Sequence, residues 1–151
     1  MNKITPIILA GICLIVPVLA QQSEQDYSTG RPGVRFAPLH IYLDSGNSSL
    51  AAYQFELKAA AGQIKIVGVE GGQHAAFKEA PYYDKAALTQ NRIIIAAFST
   101  GSHLPKGHTR IATIHLQIAG DAEPQYELKL TVAGDKDGKE IPAEITFEKG
   151  E

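Results

Sequence analysis

Arg92-Ile93-Ile94-Ile95-Ala96-Ala97-Phe98 is the one strand-like run of the chain that is apolar at consecutive positions instead of alternating. Such a run predicts a strand with protein on both faces, because a half-exposed strand keeps polar side chains on its wet side. The rest of the domain reads as material laid against it.

On the N-terminal side the period is two. Leu39, Ile41 and Leu43 alternate with His40, Tyr42 and Asp44, and Ser45-Gly46-Asn47-Ser48-Ser49 breaks the strand with turn formers. Tyr53, Phe55 and Leu57 then alternate with Gln54, Glu56 and Lys58 before Ala59-Ala60-Ala61-Gly62. The alanines invite a helix, but strict alternation separates charged from apolar residues only on a strand. Residues 64–70 are β-branched and stop at Gly71-Gly72, with Val67 and Val69 implying partial cover on the second face. Residues 71–91 have no period and carry His74, Phe77, Pro81, Tyr82 and Tyr83. The segment reads as a long loop in which Ala86-Ala87-Leu88 forms a helical turn and covers the second face of the Ile93 strand.

On the C-terminal side, residues 99–106 form another loop. Ala112, Ile114, Leu116 and Ile118 then point inward against Thr113, His115 and Gln117. Past a turn at residues 120–124, Tyr126, Leu128, Leu130 and Val132 point inward against Glu127, Lys129 and Thr131. After Gly134-Asp135-Lys136-Asp137-Gly138, Ile145 and Phe147 oppose Glu144, Thr146 and Glu148. Seven or eight short strands, with no amphipathic helix long enough to cross between parallel strands and no internal repeat, predict an all-β fold: a single antiparallel β-sandwich over residues 34–151.

The first twenty residues read as a secretory signal. Lys3 precedes an apolar run over residues 7–19 that ends in Val18-Leu19-Ala20, which predicts cleavage after Ala20. The run is shorter than the ~20 residues of a spanning helix, and Pro6 and Pro17 bracket it. Cys13 follows Ala10-Gly11-Ile12, and a bulky Ile beside the cysteine argues against lipid attachment. Residues 21–33 are polar and read as a flexible leader. Cleavage leaves 151 − 20 = 131 residues without cysteine, so the exported domain relies on burial and not on disulfides. Export without disulfides points to a bacterial secreted or periplasmic protein. The net charge of −2 becomes −3 without Lys3, which is too small to favour nucleic acid or an anionic membrane surface as partner, and no membrane span is expected after cleavage.

Four segments in this order resemble the cohesin domain and the wider group of carbohydrate-binding-module-like sandwiches. They are Leu50-Ala51-Ala52-Tyr53-Gln54-Phe55-Glu56-Leu57; Ile64-Lys65-Ile66-Val67-Gly68-Val69-Glu70, closing on Gly71-Gly72; Asn91-Arg92-Ile93-Ile94-Ile95-Ala96-Ala97-Phe98; and Ile111-Ala112-Thr113-Ile114-His115-Leu116. The resemblance spans most of residues 39–147 and implies a nine-stranded jelly roll. Cohesins bind dockerin modules through one sheet face, so it also implies binding through a sheet face. The acidic-Pro pair usual after the first long strand of cohesins is replaced by Lys58-Ala59-Ala60-Ala61-Gly62, and the sequence holds no second cohesin, dockerin or enzyme module. No dockerin-contacting residue is therefore carried over.

Two binding surfaces suggest themselves. A protein-binding sheet face would carry the outward residues Tyr42, Gln54, Glu56, Lys58, His115 and Gln117. A glycan platform would use Tyr82 and Tyr83 with Phe77, His74 and Tyr42, because sugar rings stack on aromatic ones. Against the platform stand the absence of Trp and the simpler reading that these tyrosines pin a long loop. Asp135, Asp137 and Glu140 around Gly138 faintly resemble a calcium loop, but Asp-Lys-Asp-Gly is also an ordinary hairpin turn. No metal or other cofactor is expected. His40, His74, His103, His108 and His115 lack zinc-ligand spacing, with His103 and His108 the only pair in one loop, and Ser99 and Ser102 lie in no Gly-x-Ser-x-Gly motif. The sequence thus points away from an enzyme and toward extracytoplasmic recognition of a protein module or other cell-surface partner. The alternatives are a carbohydrate-binding module and a structural envelope component.

Overall fold

The computed structural model describes residues 33–150; the expected signal peptide and all but the last residue of the leader lie outside the described residues. Eight strands follow in order: β1 (Val34–Asp44), β2 (Ala52–Ala61), β3 (Gln63–Gly71), β4 (Tyr82–Tyr83), β5 (Arg92–Phe98), β6 (His108–Ala119), β7 (Gln125–Gly134) and β8 (Glu144–Lys149). They form two four-stranded sheets, ordered β3-β6-β1-β8 and β4-β5-β2-β7, in which all pairs are antiparallel. The all-β sandwich expected from the alternation is what the chain forms, with eight strands among the described residues where the resemblance implied nine.

Period-two patterning explains the architecture. Leu39, Ile41 and Leu43 of β1 and Ile114, Leu116 and Ile118 of β6 face Tyr53, Phe55 and Leu57 of β2 and Ile93 and Ile95 of β5 in one buried layer. Apart from β4 and β5, chain neighbours change sheets, and β2 passes to β3 through Gly62, whose positive φ of 90° favours glycine. Gly71 and Gly72 serve close approach: a Cβ on the first would collide with the Lys78 carbonyl and on the second with the Arg110 carbonyl. The two sheets are also tied by Thr89 to Asn91. Thr89 N–H donates to Ile66 O (2.7 Å), Ile66 N–H to Gln90 O (2.9 Å), and Ala59 N–H to Asn91 O (2.8 Å). The chain holds Thr89 at φ 73° to make this crossing, a conformation a β-branched residue seldom adopts.

Four expectations change. β5 is covered on one face only: Ile93 and Ile95 are buried, but Ile94 is 44% and Phe98 64% exposed. The segment after β3 does not lie over β5. Its Tyr82 and Tyr83 pair edge-on with Ala96 and Ile95 as a short fourth strand, while Phe77, Tyr83, Ala87 and Leu88 pack on the core. Val132 points outward because the register slips between Gln54 and Phe55; Gln54 pairs with Val132 but Phe55 with Leu130, leaving Thr131 as the extra residue. A one-residue slip exchanges the two faces, so Ala133 turns inward in its place. Val67 is likewise the extra residue of a bulge between Ile66 and Gly68; it is exposed, while Val69 packs against the core opposite Ile114.

A third bulge adds Ile111 to β6, since Ile41 pairs with Ala112 and Tyr42 with Arg110. Ile111 has no partner residue on either neighbouring strand. Its buried carbonyl instead accepts a hydrogen bond from the Tyr53 hydroxyl in the opposite sheet (2.9 Å), meeting the requirement that a buried backbone oxygen be satisfied. The Tyr53 ring meets Phe77 edge-on with centroids 5.1 Å apart, and burial pushes the phenol pKa far above its ordinary value of 10.0.

Truncating Tyr53→Ala is expected to lower unfolding free energy by about 3–5 kcal/mol, measured by denaturant titration. Tyr53→Phe keeps the ring and loses the bond to Ile111, at a cost of about 1 kcal/mol. The folded state holds this phenolic proton after the unfolded chain has released it, so Tyr53 makes stability fall as pH rises past about 10. Comparing the wild type with Tyr53→Phe across alkaline pH should show a shallower fall for the variant.

Candidate functional site

The outer face of the β4-β5-β2-β7 sheet is built by the side chains opposite the core. Cross-strand pairing lays them in rows. Tyr82, Ala96, Gln54 and Val132 form one row; Phe98, Ala52 and Gly134 flank it on one side, and Ile94, Glu56 and Lys129 on the other. Arg92, Lys58 and Glu127 make the outermost row. Exposed apolar side chains thus gather on β4 and β5 toward one end, with Val132 apart on β7, and the charges lie toward the other end.

The apolar residues are Tyr82 (68% exposed), Phe98, Ile94 and Val132 (46% exposed), four of the seven large hydrophobic residues exposed among the described residues. Tyr82 and Phe98 stack with centroids 6.1 Å apart and planes 9° from parallel, an offset geometry that the ring quadrupoles favour. At the charged end, Arg92 grips Glu56 in a two-pronged contact, Nε to Oε1 at 2.9 Å and Nη2 to Oε2 at 2.7 Å. That hydrogen bonding holds the Glu56 carboxyl below its ordinary pKa and raises the Arg92 guanidinium. Lys58 Nζ lies 3.7 Å from Glu127 Oε2. Beside them the Gln54 side-chain amide donates to Thr131 Oγ1 (3.2 Å), and the Thr131 hydroxyl donates to the Gln54 carbonyl (3.0 Å), so the bulge residue is itself anchored.

The six residues expected to share a protein-binding face split between the two sides of the sandwich. Gln54, Glu56 and Lys58 are on the face just described; Tyr42, His115 and Gln117 are on the outside of the other sheet. There Tyr42 stacks on His108 at 4.7 Å and 9°, and its phenol pKa is raised, chiefly by burial and then by the Glu148 carboxylate. His40 Nδ1 is 3.0 Å from Thr113 Oγ1, and His115 Nε2 sits 3.0 Å from Glu70 Oε1 without meeting hydrogen-bond geometry. On this second face Tyr42, His108, His40 and Thr113 are thus engaged with neighbours, while Phe36, opposite Gln117, is 71% exposed.

Nor do the residues expected to form an aromatic platform converge. Tyr82 is exposed, but Tyr83 is half-buried against the core and Phe77 is buried under Tyr53. His74 Nδ1 accepts from Ala76 N–H (3.1 Å) and caps a short 3-10 turn, Ala75–Phe77; Tyr42 belongs to the other sheet. The partner that Tyr82 finds is Phe98, missed because the apolar run around it read as doubly buried. The usable signal was Arg92: a charged residue in step with Ile94, Ala96 and Phe98 marks that side as the wet one.

In the turn after β7 the Asp135 and Asp137 carboxylates are engaged locally. Asp135 Oδ1 accepts the N–H groups of Asp137 and Lys139, both at 2.9 Å, Asp137 pairs with Lys136 (2.7 Å), and the Glu140 backbone makes a β-bridge with Gly134. Gly138 takes the positive φ of 75° that the turn requires. His103 Nδ1 lies 3.2 Å from Ser102 Oγ, while His108 is on β6 against Tyr42. Among the described residues no group of three or more His, Cys, Asp or Glu side chains gathers as a metal site, and no helix is long and apolar enough to cross a membrane.

Comparison with protein-family models, with curated proteins and with solved structures finds no match for this chain.

If the Arg92 fork is what depresses the Glu56 titration, Arg92→Ala should raise the Glu56 pKa toward the ordinary carboxylate value. Carboxyl-carbon NMR titration of both proteins reads this directly, and an unchanged midpoint would assign the depression to Lys129 and Lys58 instead.

Proposed function

We propose that the chain is a non-catalytic, exported recognition domain that docks a protein partner through the outer face of the β4-β5-β2-β7 sheet. The observation that carries this reading is the exposed apolar group of Tyr82, Phe98 and Ile94 on β4 and β5, with Val132 across Gln54 on β7, beside charges already paired with one another. Exposed apolar residues gathered on one side of a small domain mark interaction surfaces, and interfaces place aromatic anchors inside a polar rim. Mutual pairing keeps the rim side chains in place before a partner arrives and steers its approach. A β-sheet is a rigid support for such a face, since its backbone needs no rearrangement on binding. The resemblance to cohesins, which bind through a sheet face, supports the same choice, and the signal-like first twenty residues support an extracytoplasmic setting.

The purified protein, immobilised and exposed to secreted and envelope fractions of its source, should retain a discrete protein. Ile94→Glu should weaken that retention by about tenfold or more, equivalent to about 1.4 kcal/mol or greater, whereas Gln117→Glu on the opposite sheet should leave it intact. Equal retention by wild type and Ile94→Glu would move the docking site off this face.

A further inference from the structure

Phe98 has a second ring face. Tyr82, on β4, stacks against the first, and Phe98 remains 64% exposed. The position opposite Phe98 on β2 is Ala52, a residue of little bulk. The result is a cleft of about 480 Å³ between the loop after β5 and the turn after β7. Its remaining walls carry polar groups: the hydroxyls of Ser99, Thr100 and Ser102, and Lys136 and Asp137, paired at 2.7 Å.

One apolar planar wall amid hydroxyl, carboxylate and ammonium groups matches the chemistry of a sugar ring. A pyranose offers a patch of C–H groups that stacks on an aromatic face and a circumference of hydroxyls that both donate and accept. The carboxylate and ammonium supply the charge-assisted hydrogen bonds that such hydroxyls use best. An aromatic side chain from a protein partner would satisfy the ring and leave the polar wall desolvated without partners, at a cost. The volume falls within the about 300–1,000 Å³ of small-molecule sites.

We infer that this cleft binds one pyranose unit of a carbohydrate, stacked on the free face of Phe98 with its hydroxyls toward Thr100, Lys136 and Asp137. The site goes beyond the docking face and shares only Phe98 and Ala52 with it.

Amide NMR titration of the purified protein with the methyl glycosides of glucose, galactose, mannose and N-acetylglucosamine tests the assignment. At least one should give saturable shifts at residues 98–102 and 135–138. Phe98→Ala should weaken that binding by about tenfold or more, and Phe98→Tyr, which keeps a ring face, should retain it. Ala52→Leu adds bulk inside the cleft without altering the ring and should abolish the shifts even where Phe98→Ala proves hard to interpret. Ile94→Glu, at the far end of the docking face, should leave the sugar shifts unchanged, so failure of one reading is distinguishable from failure of the other. No saturable shift with any of the four glycosides, or shifts that survive both Phe98→Ala and Ala52→Leu, would overturn the proposal.

Discussion

The hydrogen bond from the Tyr53 hydroxyl to the Ile111 carbonyl joins the two sheets where β6 breaks its own ladder. A bulge leaves a backbone carbonyl without a strand partner, and in a dry interior that costs stability unless something answers it. Here the answer comes from the opposite sheet, through a side chain whose ring also packs on Phe77 and Phe55. That contact ties the bulged stretch of β6 to β2 across the core. Because side chains alternate, a register held on the inner face also decides which residues stand outside.

Both the proposed docking face and the cleft beside it follow from that constraint. Phe55, Leu57, Ile93 and Ile95 are buried, so Gln54, Glu56, Ile94 and Arg92 must face solvent. The bulge at Thr131 then adds Val132 to the outward apolar residues, and the hydrogen bonds of Thr131 to Gln54 hold the slip in place. Interiors tolerate little change in volume, so the core cannot be adjusted without shifting the surface it presents.

The layout of the outer face has its own physical consequence. Its charged end is neutralised internally by the Arg92–Glu56 fork and the Lys58–Glu127 pair, both exposed and so of small value to stability. Their effect is positional: they fix where the face presents charge relative to Tyr82, Phe98, Ile94 and Val132. At the Phe98 end the surface opens over Ala52 into a cleft lined by Ser99, Thr100, Ser102, Lys136 and Asp137. One aromatic residue thus borders two environments of different chemistry.

Alternation in the sequence was enough to determine the fold class, the inward residues of β1, β2 and β6, and the outward placement of Gln54, Glu56 and Lys58, because a period of two admits one solution when one face must be buried. The aromatic pair, the position of Val132 and the separation of Tyr42, His115 and Gln117 from the other face lay beyond it. Bulges change the count of residues between two faces without any mark in a run such as Leu-Lys-Leu-Thr-Val. An apolar run such as Arg92 to Phe98 reads alike whether its second face is covered or bare, since cover comes from residues far away in the chain. Which outward residues share a sheet is a matter of strand order, and only the tertiary structure decided it: strand order is set by how the inward faces pack together, and no local pattern records that.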